Sequence, residues 1–492
     1  MKLNFEINKS KEKKLYIQLY EELKNLISQK KILPNEKLPS VRHLINRFSL
    51  NSSTVLKAYE LLETEEYIYK IPGSGTYVRD RENYLEDYIV DCENYLEEKE
   101  QKFITENFKY GQIKLNENIN FASATPNKET FPTEKFQESI NRVFKENGGE
   151  ALKYHETQGF VELRIVLEER LKEKFHNISR ENIQITSGAQ QALDLIKKVL
   201  LTPNSTLVMS HPTYSGALNL FKEKCKIKTV ELLDDGFDMM ELEEILTHTH
   251  VDFVYTMINF QSPTGLKWSY EKKIKLLELS QKYNFIIIED DCLSELYFYD
   301  TPAVPLKALD VEERVIYIQS FSKILIPGLR IAYMVVPREL VPQMIVAKYS
   351  SDISTSGLTQ RALTLLLKEG FLEEHLKNTR KIFRERFELM VKLIEDIPEL
   401  EIHYIPEGGL YLWIILPDFI SSDALYLELK KHGVSILPGD VFYPENPNDR
   451  RIRISFAAVT KDEIIMGVKI LRETIMSFKN IKNLSDDFMP II

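Results

Sequence analysis

The chain has 492 residues, a formal net charge of −10 and a hydrophobic fraction of 43%. This length predicts several domains, and the apolar fraction is enough for large cores. No apolar run approaches the roughly 18 residues of a membrane-spanning helix, and the first residues do not form a signal peptide, so we expect no membrane association. The three cysteines, Cys92, Cys225 and Cys292, have no metal-ligand spacing. We therefore expect a reduced, cytoplasmic protein without a metal site.

The first eighty residues predict three helices followed by a hairpin. Apolar residues recur at helical spacing from Leu15 to Lys30, and Pro34 then breaks the chain. Ser40 is a candidate cap for a second helix, and Asn51 can cap a third that begins at the next residue. Two strand-like runs flank a glycine turn at residues 72–75. Three helices and a hairpin make a winged helix-turn-helix, an α+β fold.

This pattern resembles the GntR group of bacterial DNA-binding domains through Leu38–Arg42, Thr54–Tyr59 and Gly73–Thr76. The resemblance implies that the third helix enters the major groove of double-stranded DNA. The candidate DNA-contacting residues are Ser40, Arg42, Ser52, Ser53, Thr54, Lys57, Gly73, Ser74 and Gly75. The group often has arginine, the commonest guanine reader, at the position of Ser52, so serine there is expected to weaken or retune base reading. The alternative interpretation is a small helical domain used for packing.

The distribution of charge divides the chain at the same place. Residues 1–80 carry 14 Lys and Arg against 10 Asp and Glu, whereas residues 81–106 carry 3 against 9. A mildly positive head on an acidic body fits a head that meets phosphates. We therefore predict a DNA-binding domain at 1–80, an acidic linker at 81–115 and a large domain at 116–492.

The linker has the composition of a helix rather than of a flexible spacer. Between Arg81 and Thr125 there is no proline and one glycine, and apolar residues from Leu85 to Leu96 fall on one helical face. This pattern predicts a helix over about residues 82–102. A solvated helix that frays at its ends is the alternative.

The most informative motif of the large domain is a lysine with hydroxyl groups on both sides. A strand-like run, Val315–Gln319, leads into Ser320-Phe321-Ser322-Lys323, and Arg330 follows seven residues after the lysine. Hydroxyl donors and a bidentate guanidinium suit a phosphate. A lysine that forms a Schiff base needs a site that lowers its pKa. Both needs meet in a protein that binds pyridoxal phosphate (PLP). The alternative is a buried strand followed by a polar turn.

Four further motifs fit the same cofactor. A strand-like run ends at Asp290, whose carboxylate can pair with a protonated pyridine nitrogen. A small-residue turn, Ser187–Asp194, follows another such run and opens a helix, whose N-terminal amides attract phosphate. Tyr214 lies in a loop after a strand, where its ring can stack on the cofactor. Arg453 stands in an alternating run and offers a guanidinium for a carboxylate.

Together these motifs resemble the fold-type I aminotransferases over roughly residues 119–478. The resemblance implies an α/β domain with a mostly parallel central sheet and a smaller C-terminal α+β subdomain at about 345–480. It implies Lys323 as the Schiff-base lysine, Asp290 at the pyridine nitrogen and Arg453 at a substrate or effector carboxylate. The other implied cofactor contacts are Ala189, Gln190, Tyr214, Ser262, Cys292, Ser320, Ser322 and Arg330, with Tyr154 reaching the phosphate of the partner subunit.

Two positions depart from the pattern of that family. The family's Asn-Pro-Thr-Gly turn begins with Ser262 here, and the tyrosine two residues after the pyridine aspartate is Cys292. Both family residues bond the cofactor's 3′-oxygen. Losing both donors is expected to change the pKa and the electron-sink character of the Schiff base without abolishing binding. The alternative for Cys292 is a small buried residue.

A GntR head joined to an aminotransferase-like body is the architecture of the MocR type of bacterial regulators. The resemblance implies a PLP-dependent, DNA-binding transcription regulator that senses PLP or an amino compound through aldimine chemistry at Lys323. It also implies a head-to-tail homodimer on a DNA operator. Two alternatives remain. One is a catalytically active aminotransferase with a fused DNA-binding domain, and the other is a regulator whose body is a dimerisation scaffold without cofactor.

Overall fold

The structure, a computed structural model, divides into two units, Met1–Glu106 and Asn107–Ile492. In the first it describes residues 5, 7–8 and 13–79, with gaps at 30, 35, 66 and 72–74. In the second it describes residues 119–487, with gaps at 300–301 and 446–449. The linker helix expected over 82–102 lies outside the described residues, as do Gly73 and Ser74.

The described part of the first unit contains three helices and an antiparallel hairpin, which confirms the predicted winged helix-turn-helix. These elements are α1 Leu15–Ser28, α2 Val41–Phe48, α3 Ser52–Thr64, β1 Ile68–Ile71 and β2 Gly75–Val78. Apolar side chains of α1 and α3, among them Leu19, Leu23, Val55 and Leu62, are fully buried in one core. Hydrophobic burial of these facing stripes holds the short helices together, because helices of this length are marginal alone.

Three hydrogen bonds tie the segment before α2 to the hairpin and to α3. The amide of Leu38 donates to the carbonyl of Thr76 at 2.8 Å, and the amide of Val78 donates to the carbonyl of Glu36 at 3.0 Å. The buried hydroxyl of Tyr59 donates to the carbonyl of Pro39 at 2.5 Å. These bonds fix α3 relative to the chain that precedes the second helix.

The second unit is built on an eight-stranded sheet and a smaller four-stranded one. Its strands are β3 Ile119–Asn120, β4 Ile183–Thr186, β5 Thr206–His211, β6 Lys226–Leu233, β7 Gly236–Phe237, β8 Phe253–Thr256, β9 Ile286–Asp290, β10 Val315–Ser320, β11 Ala332–Val335, β12 Glu401–Ile402, β13 Tyr411–Ile415, β14 Val434–Ser435, β15 Leu437–Pro438 and β16 Arg451–Ser455. The large sheet has the order β4-β11-β10-β9-β8-β5-β6-β7.

Helices cover these sheets. They are α4 Thr133–Asn147, α5 Val161–Lys172, α6 Ala189–Leu200, α7 Ser215–Lys222, α8 Met239–His248, α9 Tyr270–Tyr283, α10 Val341–Asp352, α11 Gly357–Lys368, α12 Phe371–Glu395, α13 Ser422–Lys431 and α14 Lys461–Asp487. Every residue of β4, β8 and β10 is buried, as expected for strands covered on both faces.

The directions of the strands bring several polar residues to one edge of the large sheet. Strands β8, β9 and β10 pair in parallel, and β4 runs the same way as β10 because both are antiparallel to β11. Their carboxyl ends therefore lie on one side, where open α/β sheets bind ligands. Thr186, Asp290 and Ser320 are the last residues of β4, β9 and β10.

The C-terminal part has its own antiparallel sheet, in the order β12-β13-β16-β15. This sheet lies within the subdomain predicted at about 345–480. Strand β3 also belongs to this part of the fold, because it pairs in parallel with β14 through Ile119 and Val434. The chain therefore enters the large domain at the C-terminal subdomain before it builds the eight-stranded sheet.

Two kinds of feature are missing from the described residues. None of the helices described combines the length and the apolar character needed to cross a bilayer. No group of three or more His, Cys, Asp or Glu side chains in that part of the chain is arranged to hold a metal ion.

The cap of α3 yields a prediction about local stability. Asn51 Oδ1 accepts from the amide of Thr54 at 2.8 Å and from Ser53 Oγ at 3.0 Å. Replacing Asn51 with alanine removes this cap, so we expect α3 to lose about 1 kcal/mol, or about fivefold in the opening equilibrium. Hydrogen–deuterium exchange of the full-length protein would measure this loss. Asn46→Ala, at an exposed site in α2, is the control, and equal acceleration of α3 in both variants would contradict the prediction.

Candidate functional site

Lys323 lies in the turn after β10, at the carboxyl edge of the large sheet. Burial lowers the pKa of its amine from the usual lysine value to about 8, and the charges of Arg453 and Arg330 act in the same direction. At pH 7 about one tenth of such amines are uncharged, far more than for an ordinary lysine. The site therefore supplies the free amine that the chemistry of a Schiff-base lysine requires.

The residues predicted to hold a phosphate meet beside the start of α6. Arg330 Nη2 donates to the carbonyl of Ser187 at 3.1 Å. A Cβ atom on Gly188 would lie 2.5 Å from the same Nη2, so only glycine allows this approach, and its φ of +95° also favours glycine. Gly188 offers no side chain to cap α6, and the amides of Ala189 and Gln190 have no partner within the helix.

Two hydroxyls are also predicted to contact the phosphate. The Oγ of Ser320 accepts from the amide of Ser322 at 3.2 Å. Within the described part of the chain, the buried Oγ of Ser322 has no hydrogen-bond partner. A buried hydroxyl without a partner is costly, so the Oγ of Ser322 is suited to bond a ligand atom. The donors therefore fit the phosphate of PLP.

Asp290 is buried at the end of β9, and both of its carboxylate oxygens accept hydrogen bonds. Tyr255 donates its hydroxyl to Oδ2 at 3.1 Å, and Cys292 donates its thiol to Oδ1 at 2.8 Å. Burial raises the pKa of Asp290, and the two donors lower it. Burial also raises the pKa of Cys292 well above that of an ordinary thiol, so it stays protonated as a donor. Cys292 thus acts as a polar partner of Asp290.

Tyr255 was not among the predicted site residues. It lies in β8, the strand next to β9, and its hydroxyl reaches a carboxylate 35 positions further along the chain. A tyrosine inside a fully buried strand was the available signal, because a buried hydroxyl needs a partner.

Tyr214 and Arg453 lie close enough to interact electrostatically. Tyr214 precedes α7, and Gly216 leaves space for its ring, since a Cβ atom there would come within 2.5 Å of it. Burial, followed by the charge of Asp290, raises the pKa of Tyr214. The guanidinium of Arg453 lies 4.5 Å from the ring centroid of Tyr411.

Ser262 forms a hydrogen bond with another residue of the same chain. Arg453 Nη1 donates to Ser262 Oγ at 3.4 Å, and Nη2 donates to the carbonyl of Ala122 at 2.5 Å. The buried Nε of Arg453 has no partner among the described residues. A buried guanidinium with an unused donor is suited to bind a carboxylate, which is the role predicted for Arg453.

A group of buried polar residues near the site was not predicted from the sequence. Glu289 accepts from the amides of Leu306 and Lys307 at 2.7 and 2.8 Å. Burial raises its pKa to about 8. Lys273 Nζ donates to the carbonyl of Val304 at 2.7 Å, and Asn259 Nδ2 donates to the same carbonyl at 3.3 Å. These bonds anchor the chain before the Ser262 turn to the segment around residue 304.

Tyr154 is the one predicted cofactor residue that stands apart. Its side chain is 82% exposed in the single chain, as a residue that crosses to a partner subunit would be. The crossing stays a prediction.

The candidate DNA-contacting residues lie on the surface of the first unit. Ser52, Ser53 and Lys57 are exposed on α3, and Arg42 is exposed on α2. Thr54 is half-buried, and Ser40 caps α2 through the amide of His43. At Gly75, where φ is +139°, a Cβ atom would lie 2.5 Å from the Lys37 side chain.

Comparison with known proteins agrees with this division of the chain. Residues 111–471 match the family model for aminotransferase class I and II, and residues 15–78 match the model for bacterial regulatory proteins of the gntR family. The chain belongs to the aminotransferase class I and II family. Its first unit carries a GntR helix-turn-helix domain.

Individual relatives differ in how much of the chain they cover. Aromatic-amino-acid aminotransferase 1 of Thermococcus litoralis is 34% identical over 371 residues, which is 74% of this chain and 89% of that protein. The uncharacterized HTH-type transcriptional regulator YdfD of Bacillus subtilis is 30% identical over 473 residues, which is 94% and 96%. A crystal structure of Pyrococcus horikoshii kynurenine aminotransferase in complex with PMP is 37% identical, with a TM-score of 0.70 over 73% of this chain and 91% of that one.

These relatives confirm the predicted fold class and cofactor. Aminotransferases of this class depend on PLP, and the joined GntR domain gives the architecture of a transcription regulator of the MocR type.

The lowered pKa of Lys323 predicts how capture of PLP depends on pH. Only the uncharged amine attacks the aldehyde, so capture by the cofactor-free protein should rise through about pH 8 rather than through the usual lysine range. Stopped-flow absorbance measures the rate. Arg453→Gln removes a positive charge that lowers this pKa, so the midpoint should move to higher pH. Lys323→Ala is the blank, and a wild-type midpoint above about pH 10 would contradict the prediction.

Proposed function

We propose that this protein is a PLP-dependent, DNA-binding transcription regulator that acts as a homodimer on a double-stranded operator. Its aminotransferase domain holds PLP at Lys323 and senses PLP itself or an amino compound. The observation that carries the proposal is a retained cofactor cradle, centred on Lys323 and Asp290, on a chain that begins with a GntR domain.

Each retained group has a distinct task toward the cofactor. PLP, when bound, supplies an aldehyde that captures amines and a ring that withdraws electrons. The hydroxyl of Ser322, the guanidinium of Arg330 and the first amides of α6 would hold the phosphate. The carboxylate of Asp290 would hold the proton of the pyridine nitrogen. The amine of Lys323 would hold the aldehyde until another amine competes for it.

Arg453 indicates which chemical class of amine would compete with Lys323. Its guanidinium is buried, it stacks on Tyr411, and its Nε has no partner among the described residues. An effector with both an amine and a carboxylate would displace Lys323 and at the same time pair with Arg453. Such a ligand has different contacts in the two states, which is the condition for shifting a conformational equilibrium.

Sensing is favoured over turnover by the two departures from the family pattern. Cys292 donates to Asp290, and Ser262 accepts from Arg453. Neither side chain is the tyrosine or asparagine that bonds the 3′-oxygen in the family. A catalytically active aminotransferase with a fused DNA-binding domain is the second candidate. It is supported by the 34% identity to an aromatic-amino-acid aminotransferase and by the retention of Lys323, Asp290 and Arg453.

The visible absorption spectrum and DNA binding of the same samples test the proposal. Purified full-length protein should show a Schiff-base band that Lys323→Ala lacks. In a panel of amino compounds, an effector should shift this band and also change the affinity for DNA selected from a random-sequence library. Arg453→Gln should weaken the response to amino acids about tenfold or more, because a charge-assisted pair is lost, and should change the response to simple amines, which have no carboxylate, much less.

The outcomes separate the candidates. A band that cycles to the amine form and returns with a keto acid, at a sustained rate, would establish the aminotransferase. A wild-type protein that forms no band with added PLP would contradict both candidates and leave the body as a scaffold. An effector that shifts the band equally in the presence and absence of DNA, without changing DNA affinity, would contradict sensing.

A further inference from the structure

The exposed face of α3 has an unusual composition for a helix that reads DNA. Val55, Ala58, Tyr59 and Leu62 face the core, and no arginine stands anywhere in α3. The exposed side chains of its first turns are Ser52, Ser53, Leu56, Lys57 and Glu60. A bidentate guanidinium, the commonest reader of guanine, is therefore absent from this face.

Leu56 is the apolar member of that face. Its side chain is 43% exposed. Its neighbours three and four positions away on the helix surface include Ser52, Ser53 and Glu60, all of them exposed. An exposed leucine is common on protein surfaces and by itself needs no explanation. This one stands in the second turn of the third helix of a domain that matches the GntR model, and in helix-turn-helix domains the recognition helix enters the major groove.

The other exposed side chains choose weakly between bases. Serine hydroxyls donate and accept, so Ser52 can bond any base pair, while Ser53 donates to Asn51 and offers an acceptor. Lys57 Nζ lies 5.9 Å from the ring centroid of Tyr16, and a lysine acts as a point charge that suits a phosphate. The major groove offers one apolar group, the C5-methyl of thymine, and it is the partner that a leucine can recognise.

The position of Leu56 is fixed by the packing of α3. Asn51 caps the helix through the amide of Thr54, and Tyr59 holds it to the carbonyl of Pro39. A side chain that reads a single methyl group must be presented from a rigid element. Arg42, exposed on α2, offers a phosphate contact that can set the register on the duplex.

We propose that Leu56 is a specificity-determining residue that contacts the C5-methyl of a thymine in the operator. The inference rests on the proposed DNA-binding function and adds the chemistry of one recognised base. It predicts that the operator requires thymine at a position where deoxyuridine, which has the same hydrogen-bonding edge without the methyl, is a poorer partner.

The test starts from a random-sequence duplex library selected with the full-length protein. Each thymine of the enriched sequence is then replaced in turn by deoxyuridine, and binding is titrated for the wild type and Leu56→Ala. At one thymine position the replacement should weaken the wild type about fourfold, the usual effect of losing one buried methyl or methylene group. Leu56→Ala should bind the thymine duplex about as weakly as the wild type binds the deoxyuridine duplex, and should not distinguish the two.

Leu33→Ala is the matched control, because Leu33 is 57% exposed and lies outside α3. This variant should keep the full sensitivity to deoxyuridine. The inference is overturned if no thymine methyl affects the wild type, or if Leu56→Ala remains as sensitive as the wild type. A library that yields no enriched sequence is a different failure, since it contradicts operator binding itself and the Leu56 inference with it.

Discussion

The parallel pairing of β9 with β10 is the constraint on which the candidate cofactor site depends. Its register sets Asp290 opposite Ile318, two residues before the end of β10. Lys323 follows in the turn after that strand. Side chains alternate between the two faces of a strand, so a shift of one residue would turn every side chain to the opposite face. Because both strands are buried, such a shift would disrupt their packing, and the register is therefore strongly specified. The carboxylate and the amine thus come to one edge of the sheet through packing alone, without any contact between them.

The same burial makes this edge electrostatically costly, and the chain offsets the cost with its own donors. Asp290 accepts from both Tyr255 and Cys292, while Arg453 donates to the carbonyl of Ala122. Lys323 responds differently, because burial lowers its pKa and favours the neutral amine. One buried region therefore contains a satisfied carboxylate, a guanidinium with an unused donor and a largely desolvated amine. Such a set keeps the carboxylate and the guanidinium bonded to the chain and leaves the amine suited to react with an aldehyde.

The sequence predicts those parts of the site whose signal is local. Short segments are enough to predict Lys323 with its flanking serines, Asp290 at a strand end and the Gly188 turn. In each of them the strand, the turn and the functional residue are neighbours in the sequence. Tyr255 and Ala122 cannot be read this way, since their partners lie 35 and 331 positions away. The pairing of β3 with β14 could not be predicted for the same reason. Cys292 shows a third case, where the departure is visible in the sequence but its new hydrogen-bond partner appears only in three dimensions.

The proposed regulation requires a minimum difference in binding energy between two states. Moving a two-state equilibrium from 1:99 to 99:1 takes about 5.5 kcal/mol of differential binding. Hydrogen bonds to charged groups contribute about 1.5–3 kcal/mol each, so a carboxylate that pairs with Arg453 by two bonds supplies roughly 3–6 kcal/mol. A bond contributes in full only where the free state leaves the donor nitrogen without a partner, which is the condition of Arg453 Nε among the described residues. An exposed ion pair contributes about 1 kcal/mol or less, so under the proposed function the burial of Arg453 would be what lets a small carboxylate ligand shift the equilibrium.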